Sequence, residues 1–131
     1  MKIEVSIGEI VDKLSILQIK MSFIKDELKL INVKKEYDYL YDIVFNEMKI
    51  EQSDFFDMVS INQKLWKIED DIRDKERDKN FDSEFVDLAR AVYVTNDKRA
   101  EVKKVINFKY GSLFVEEKSY SDYQYNFLRN N

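Results

Sequence analysis

Asn62, Trp66, Glu69 and Arg73 follow one another at intervals of four, three and four residues. On a helix that spacing puts all four on one face. An amide, an indole, a carboxylate and a guanidinium in one stripe can form a pocket wall. The indole stacks on a planar ligand and the guanidinium meets an anion. The same stripe also fits a buried hydrogen-bond network that fixes helix register, with Glu69 bound to Arg73, because buried polar groups must be paired.

A second constellation lies further along. Ala89, Val92, Asn96, Arg99 and Lys103 share one helical face, with Arg90 and Tyr93 beside it. Between residues 98 and 109 there are five basic residues (Lys98, Arg99, Lys103, Lys104 and Lys109) and one acid, Glu101, on a chain whose formal net charge is −4. A basic island on an acidic protein attracts phosphate or carboxylate locally. It also fits a solvated face balanced by acids of a neighbouring helix. The expectation is that Trp66 and Arg73 face Arg99 and Lys103 across a cleft, and that an anion binds there.

The missing residue types remove whole mechanisms. With no cysteine and no histidine there is no thiolate nucleophile, no disulfide, no imidazole base, no serine triad of the usual sort and no two-histidine metal site. Two glycines, Gly8 and Gly111, cannot build a Walker loop or a dinucleotide fingerprint. Carboxylate chemistry needs two acids in different environments. The candidate pairs are Glu9 with Asp12 and Glu116 with Glu117, and neither carries a strong metal signature. No cofactor and no metal is expected, although a weak magnesium site through carboxylates stays open.

The elements that position these residues read as long helices. The chain has 131 residues, 37% of them charged, and no proline, a mixture suited to helices with solvated faces. One domain over residues 1–131 is expected. Residues 6–31 carry apolar residues at the a positions Ile7, Leu14, Met21 and Leu28 and the d positions Ile10, Leu17, Ile24 and Ile31. That pattern predicts one helix across four heptads. Ser6 and Glu9 form a capping box at its start. A second stripe (Ile16, Ile19, Phe23 and Leu30) fits either a helix central in its own bundle or one shared with another subunit. A chain this short has few helices to cover two faces, so an oligomer, most simply a dimer, is expected.

Asn32 is read as the break before a second helix over about 33–49, with Tyr39 and Phe45 off its apolar face. Ser53 is read as the cap of a third helix over about 54–80. A last long element begins at Asp82 or Ser83 and reaches Tyr110 as one helix or two, since Thr95, Asn96 and Asp97 offer a second cap; Gly111 ends it. Residues 1–5 and 113–116 are extended in composition and allow a minor two-stranded pairing. The tail is aromatic, and its Tyr120 is a further candidate for the site. The fold class is therefore mainly α, a bundle of three or four long helices with short connections.

The segments GEIVDKLSIL, LWKIEDDIR, LARAVYVTND and INFKYGSLFVEEKSY together resemble an uncharacterised family of short, mostly helical proteins of bacteria and their phages, sometimes met near genes for glycan assembly. The likeness covers most of the chain and is weakest in the second helix. The family has no established activity, so no catalytic residue carries over. The likeness adds Lys13 and Lys118 to Trp66, Glu69, Arg73, Arg90, Tyr93, Asn96 and Arg99 as positions of interest.

Three functions fit these residues. The first is a non-enzymatic protein holding a phosphate-bearing small molecule, such as a nucleotide-like signal or a sugar nucleotide; in a phage this would sequester a host signal. The second is an accessory module docking on a partner enzyme, such as one of glycan assembly. The third is a small histidine-free helical enzyme. The overall charge and the absence of a binding motif argue against duplex nucleic acid. With no signal peptide and no long apolar run, a cytoplasmic location is expected and no membrane partner.

Overall fold

Ser6 opens the first helix as the sequence suggests. Its Oγ accepts from Glu9 N at 3.2 Å, and the helix then buries Val11, Leu14, Leu17 and Ile19. In the computed structural model, which describes residues 1–119, 121 and 123, the elements are α1 (Ile7–Phe23), α2 (Glu27–Tyr41), a π-helical segment (Asp42–Glu47), α3 (Gln52–Arg77) and α4 (Ser83–Lys109). The protein is a mainly α bundle, with four α-helices among the described residues.

α1 is the central element and packs against α2, α3 and α4. α3 and α4 form an antiparallel pair, as the contacts at their two ends show. Lys75 Nζ meets Asp82 and Glu84 at one end, each at 3.1 Å. Lys109 Nζ meets Asp54 at 2.8 Å at the other. The core joins Val11, Leu14 and Leu17 to Leu40, Val44, Ile50, Phe55, Met58, Val59 and Ile106. Among the described residues no helix is long and apolar enough to cross a membrane.

The four-heptad helix over residues 6–31 is in fact two. Ile24 turns extended, with φ −78° and ψ 129°. Asp26 Oδ1 then accepts from Leu28 N at 3.0 Å and Lys29 N at 3.1 Å and starts α2. A carboxylate cap of this kind satisfies donors that a continuous helix would have paired internally, and it overrides the heptad. Leu28 and Ile31, the last a and d residues, are 75% and 63% exposed. Asn32 lies inside α2 and breaks nothing. The second stripe of α1 is also used within the chain: Ile19 is buried, and Phe23 stacks on Trp66 with ring centroids 5.3 Å apart.

The π-helical segment was not legible in the sequence. Phe45 lies in this segment and packs against the core, edge-on to Phe55 with ring centroids 5.2 Å apart, rather than off the apolar face. α3 begins before Ser53, with Glu51 at the cap position and no side-chain cap bond. Glu51 N donates instead to Tyr110 Oη at 2.9 Å.

α4 is one helix. Thr95 is buried at 2% exposure and caps nothing. Gly111, at φ 66°, closes α4 in a Schellman motif in which Ser112 N donates to Asn107 O at 2.8 Å. Lys79, at φ 53°, does the same for α3, with Asn80 N donating to Lys75 O at 3.0 Å. Among the described residues there is no strand. Residues 1–5 and 113–116 do not pair, and Ile3 and Leu113 are both exposed. The contact beside them is between the start of α1 and the end of α4: Ile7 N donates to Ser112 Oγ at 3.0 Å.

That bond belongs to a joint between α1 and α4. Gly8 N donates to Asn107 Oδ1 at 2.6 Å. A Cβ at position 8 would lie 2.7 Å from Lys103 O. Gly8 is what lets the first turn of α1 press onto the α4 backbone.

Candidate ligand-binding site

One face of α3, one face of α4 and the second stripe of α1 enclose a cleft of about 430 Å³. α3 contributes Asn62, Leu65, Trp66, Glu69, Asp70 and Arg73; α4 contributes Asn96 and Arg99; α1 contributes Ile16 and Ile19. The volume falls within the range of small-molecule sites, and the mixture of apolar wall and few polar groups is typical of them.

Asn62 is the hinge of the polar side. It is 4% exposed. Its Nδ2 donates to Asp12 Oδ1 at 2.7 Å and to Ser15 Oγ at 2.6 Å. Its Oδ1 accepts from Arg99 Nη1 at 3.3 Å, and Arg99 Nη2 donates to Asn96 Oδ1 at 3.0 Å. Two neutral amide oxygens thus hold the half-buried Arg99 guanidinium, and among the described residues it forms no ion pair. Arg73 differs: its Nη1 is bound to the Glu69 carboxylate one turn back. Trp66 lines the cleft with Phe23 stacked against its ring at an interplanar angle of 23°.

Six of the nine principal candidates therefore meet in one place: Asn62, Trp66, Glu69, Arg73, Asn96 and Arg99. The stripe on α3 is both a wall and a network, since Asn62 and Glu69 have partners inside the protein while Trp66 lines the cleft.

Lys103 does not face Trp66. It stands one helical turn, about 6 Å, beyond Arg99, where the start of α1 supplies acids. Its ammonium lies 2.7 Å from Glu9 Oε2, 3.2 Å from Glu116 Oε2 and 3.8 Å from Asp12 Oδ2. Burial alone would lower the Lys103 pKa; the hydrogen bond to Glu9 and the charges of Glu9 and Asp12 outweigh it, and the pKa stands above its ordinary value. Glu9 thus serves Lys103 rather than the capping box.

Arg90 is exposed and outside the cleft. Tyr93 is also outside it and packs edge-on against Tyr123 at 5.0 Å. Lys13 pairs with Glu36 at 3.6 Å between α1 and α2. Lys118 pairs with Glu116 at 2.9 Å. Tyr120 lies outside the described residues. Most of the basic island is matched by acids of other elements: Lys104 by Glu117 at 3.9 Å, Lys109 by Asp54 and Glu51, and Lys103 as above. Among the described residues Lys98 and Arg99 form no ion pair; Lys98 is exposed to solvent, whereas Arg99 is half-buried.

The sequence reading did not place Asp12, Ser15, Ile16, Ile19, Leu65 or Asp70 at this site. A signal for the first two was present. Asp12 and Ser15 stand three residues apart among Val11, Leu14 and Leu17, so two polar side chains enter the core side of α1.

A family model, the family of unknown function DUF6165, matches residues 1–125. The chain belongs to this family. No curated protein and no solved structure matches it. Membership brings no assigned residue, so the site rests on its geometry.

Proposed function

We propose that the α1–α3–α4 cleft binds a small molecule that carries a planar ring and a negatively charged group, and that the protein holds this molecule without converting it. The observation that carries the reading is Arg99, a half-buried cation at the cleft wall whose only partners among the described residues are the Asn62 and Asn96 amide oxygens. Such a charge is poorly compensated, and an anion improves its position. Trp66, Ile16 and Ile19 supply the apolar surface for the ring. Nucleotides and sugar nucleotides have both features. Binding is favoured over turnover because Glu69 is committed to Arg73 and the chain has no histidine or cysteine.

The test is calorimetric titration of the purified protein with a panel of nucleotides and sugar nucleotides, preceded by native mass spectrometry for a co-purified compound. Arg99→Ala should weaken binding by about 2–5 kcal/mol, as for other truncated buried charge contacts, with the helical circular dichroism unchanged. A panel in which nothing binds the wild type, or an Arg99→Ala variant that binds as tightly, refutes the reading.

A further inference from the structure

Arg99 borders a second cavity as well as the cleft. This cavity has a volume of about 210 Å³ and is lined by Asn96, Arg99, Ala100, Lys103, Glu116 and Lys118. Asn96 and Arg99 line both spaces. The two spaces differ in chemistry. The cleft has an indole and aliphatic side chains; the second cavity has three cations and one carboxylate.

That carboxylate belongs to the segment after α4. Glu116 Oε1 lies 2.9 Å from Lys118 Nζ and its Oε2 lies 3.2 Å from Lys103 Nζ. The two oxygens of one anion thus bridge two ammonium groups, as two oxygens of a phosphate would. Hydrogen bonds from Lys118 and from Lys103 hold the Glu116 carboxyl below its ordinary pKa. Residues 114–119 form neither helix nor strand, so Glu116 can leave without breaking a helix. Lys103 keeps Glu9 and Asp12 as partners when it does.

We propose that Glu116 occupies an anion subsite as an internal competitor, and that the natural ligand is a ring-bearing diphosphate whose charged end displaces it. The inference rests on the reading of the cleft given above. A diphosphate is required because the ring surface at Trp66 and the ammonium groups at Lys103 and Lys118 line different cavities that share Asn96 and Arg99 as a common wall. A ligand using both must carry negative charge at Arg99 and again one helical turn along α4, about 6 Å further. A polyanion gains more than a single carboxylate from Arg99 and Lys118 together, while Lys103 stays shared with Glu9 and Asp12.

The experiment is calorimetry in phosphate-free buffer on the full chain, with three probes: inorganic pyrophosphate, uridine diphosphate and uridine. They are titrated into the wild type, Glu116→Gln and Arg99→Ala. The glutamine keeps the shape of Glu116 and removes its charge. It should tighten pyrophosphate and uridine diphosphate about five- to tenfold, the size expected for removing a partly exposed competing ion pair, and leave uridine unchanged. Circular dichroism confirms that the variant folds. If uridine diphosphate binds the wild type and loses affinity in Arg99→Ala while Glu116→Gln changes nothing or weakens it, the internal-competitor proposal is overturned and the cleft reading stands. If none of the probes binds the wild type or Glu116→Gln, both fall.

Discussion

Asn62 Nδ2 donates to Asp12 Oδ1 at 2.7 Å, joining α3 to α1 through a carboxylate that is 6% exposed. A buried carboxylate that loses its donor keeps its desolvation penalty and gains nothing in return. Asn62→Leu should therefore destabilise the fold by about 3 kcal/mol, read from urea unfolding. The Asp12→Leu, Asn62→Leu double variant should recover part of that loss, because two apolar groups then meet. A double variant no more stable than Asn62→Leu would contradict the assigned pairing.

The α1–α4 joint has no spare room. Gly8→Ala places a Cβ 2.7 Å from Lys103 O and 3.1 Å from Lys103 Cα, both backbone atoms that cannot swing aside. The helices must separate, at a cost of about 1–3 kcal/mol. An unchanged melting temperature would show that the joint is looser than these distances imply.

Lys79 holds a left-handed conformation, φ 53°, where a side chain is strained. Lys79→Gly keeps the Schellman closure and removes the strain, and should raise stability by about 1 kcal/mol. The ion pair it loses, to Glu76 at 3.4 Å, is exposed and contributes little. A destabilised variant would contradict the strain argument.

Acid should weaken the α3–α4 contact through Asp54. Burial pushes its carboxyl up, but hydrogen bonds from Lys109 and Tyr110 outweigh that, and the folded pKa lies below the ordinary value. The unfolded chain then binds more protons in the window between the two pKa values, so stability rises with pH there. The contribution is complete above the unfolded carboxylate value, about 3.9, and is lost as pH falls through the depressed folded value. Asp54→Asn should lower stability at pH 7 more than at pH 3. Equal losses at both would remove Asp54 from the acid response.

Lys103 acts in the opposite direction. Its raised folded pKa makes its contribution complete below the unfolded lysine value, about 10.4, and lost as pH rises through the folded one. Lys103→Met should flatten the alkaline limb of a stability profile measured from pH 8 to pH 12. A variant with the wild-type alkaline slope would show that other groups govern that limb.

The helical class and the stripe on α3 were legible because both depend on local spacing. The 4-3-4 interval that placed Asn62, Trp66, Glu69 and Arg73 together needs only the helix repeat. Asn96 and Arg99 joined them because the last element is one uninterrupted helix. The break after Phe23 was hidden by an apolar repeat that runs through it, although Asp26 ahead of Glu27 was an ordinary helix-start signal. Lys103 was misplaced for a different reason. Residues four apart share a face, but a long lysine goes to the acids within reach, and Glu9 is 94 positions away in sequence. No local pattern carries that pairing. The π-helical winding at Asp42–Glu47 likewise had no readable signature.

The way α1 begins has a consequence for the order in which the chain can mature during synthesis. Two of its first free amides are closed by Asn107 and Ser112, 99 and 105 positions downstream. Until those residues emerge from the ribosome, the first turn has only Ser6 to cap it, and the approach surface at Gly8 has no α4 to meet. The nascent chain therefore holds the first turn of α1 unfinished until Asn107 and Ser112 have emerged and α4 docks. Nascent chains stalled before residue 100 should be open to protease within α1, and chains stalled with residues 1–119 fully exposed should be protected there.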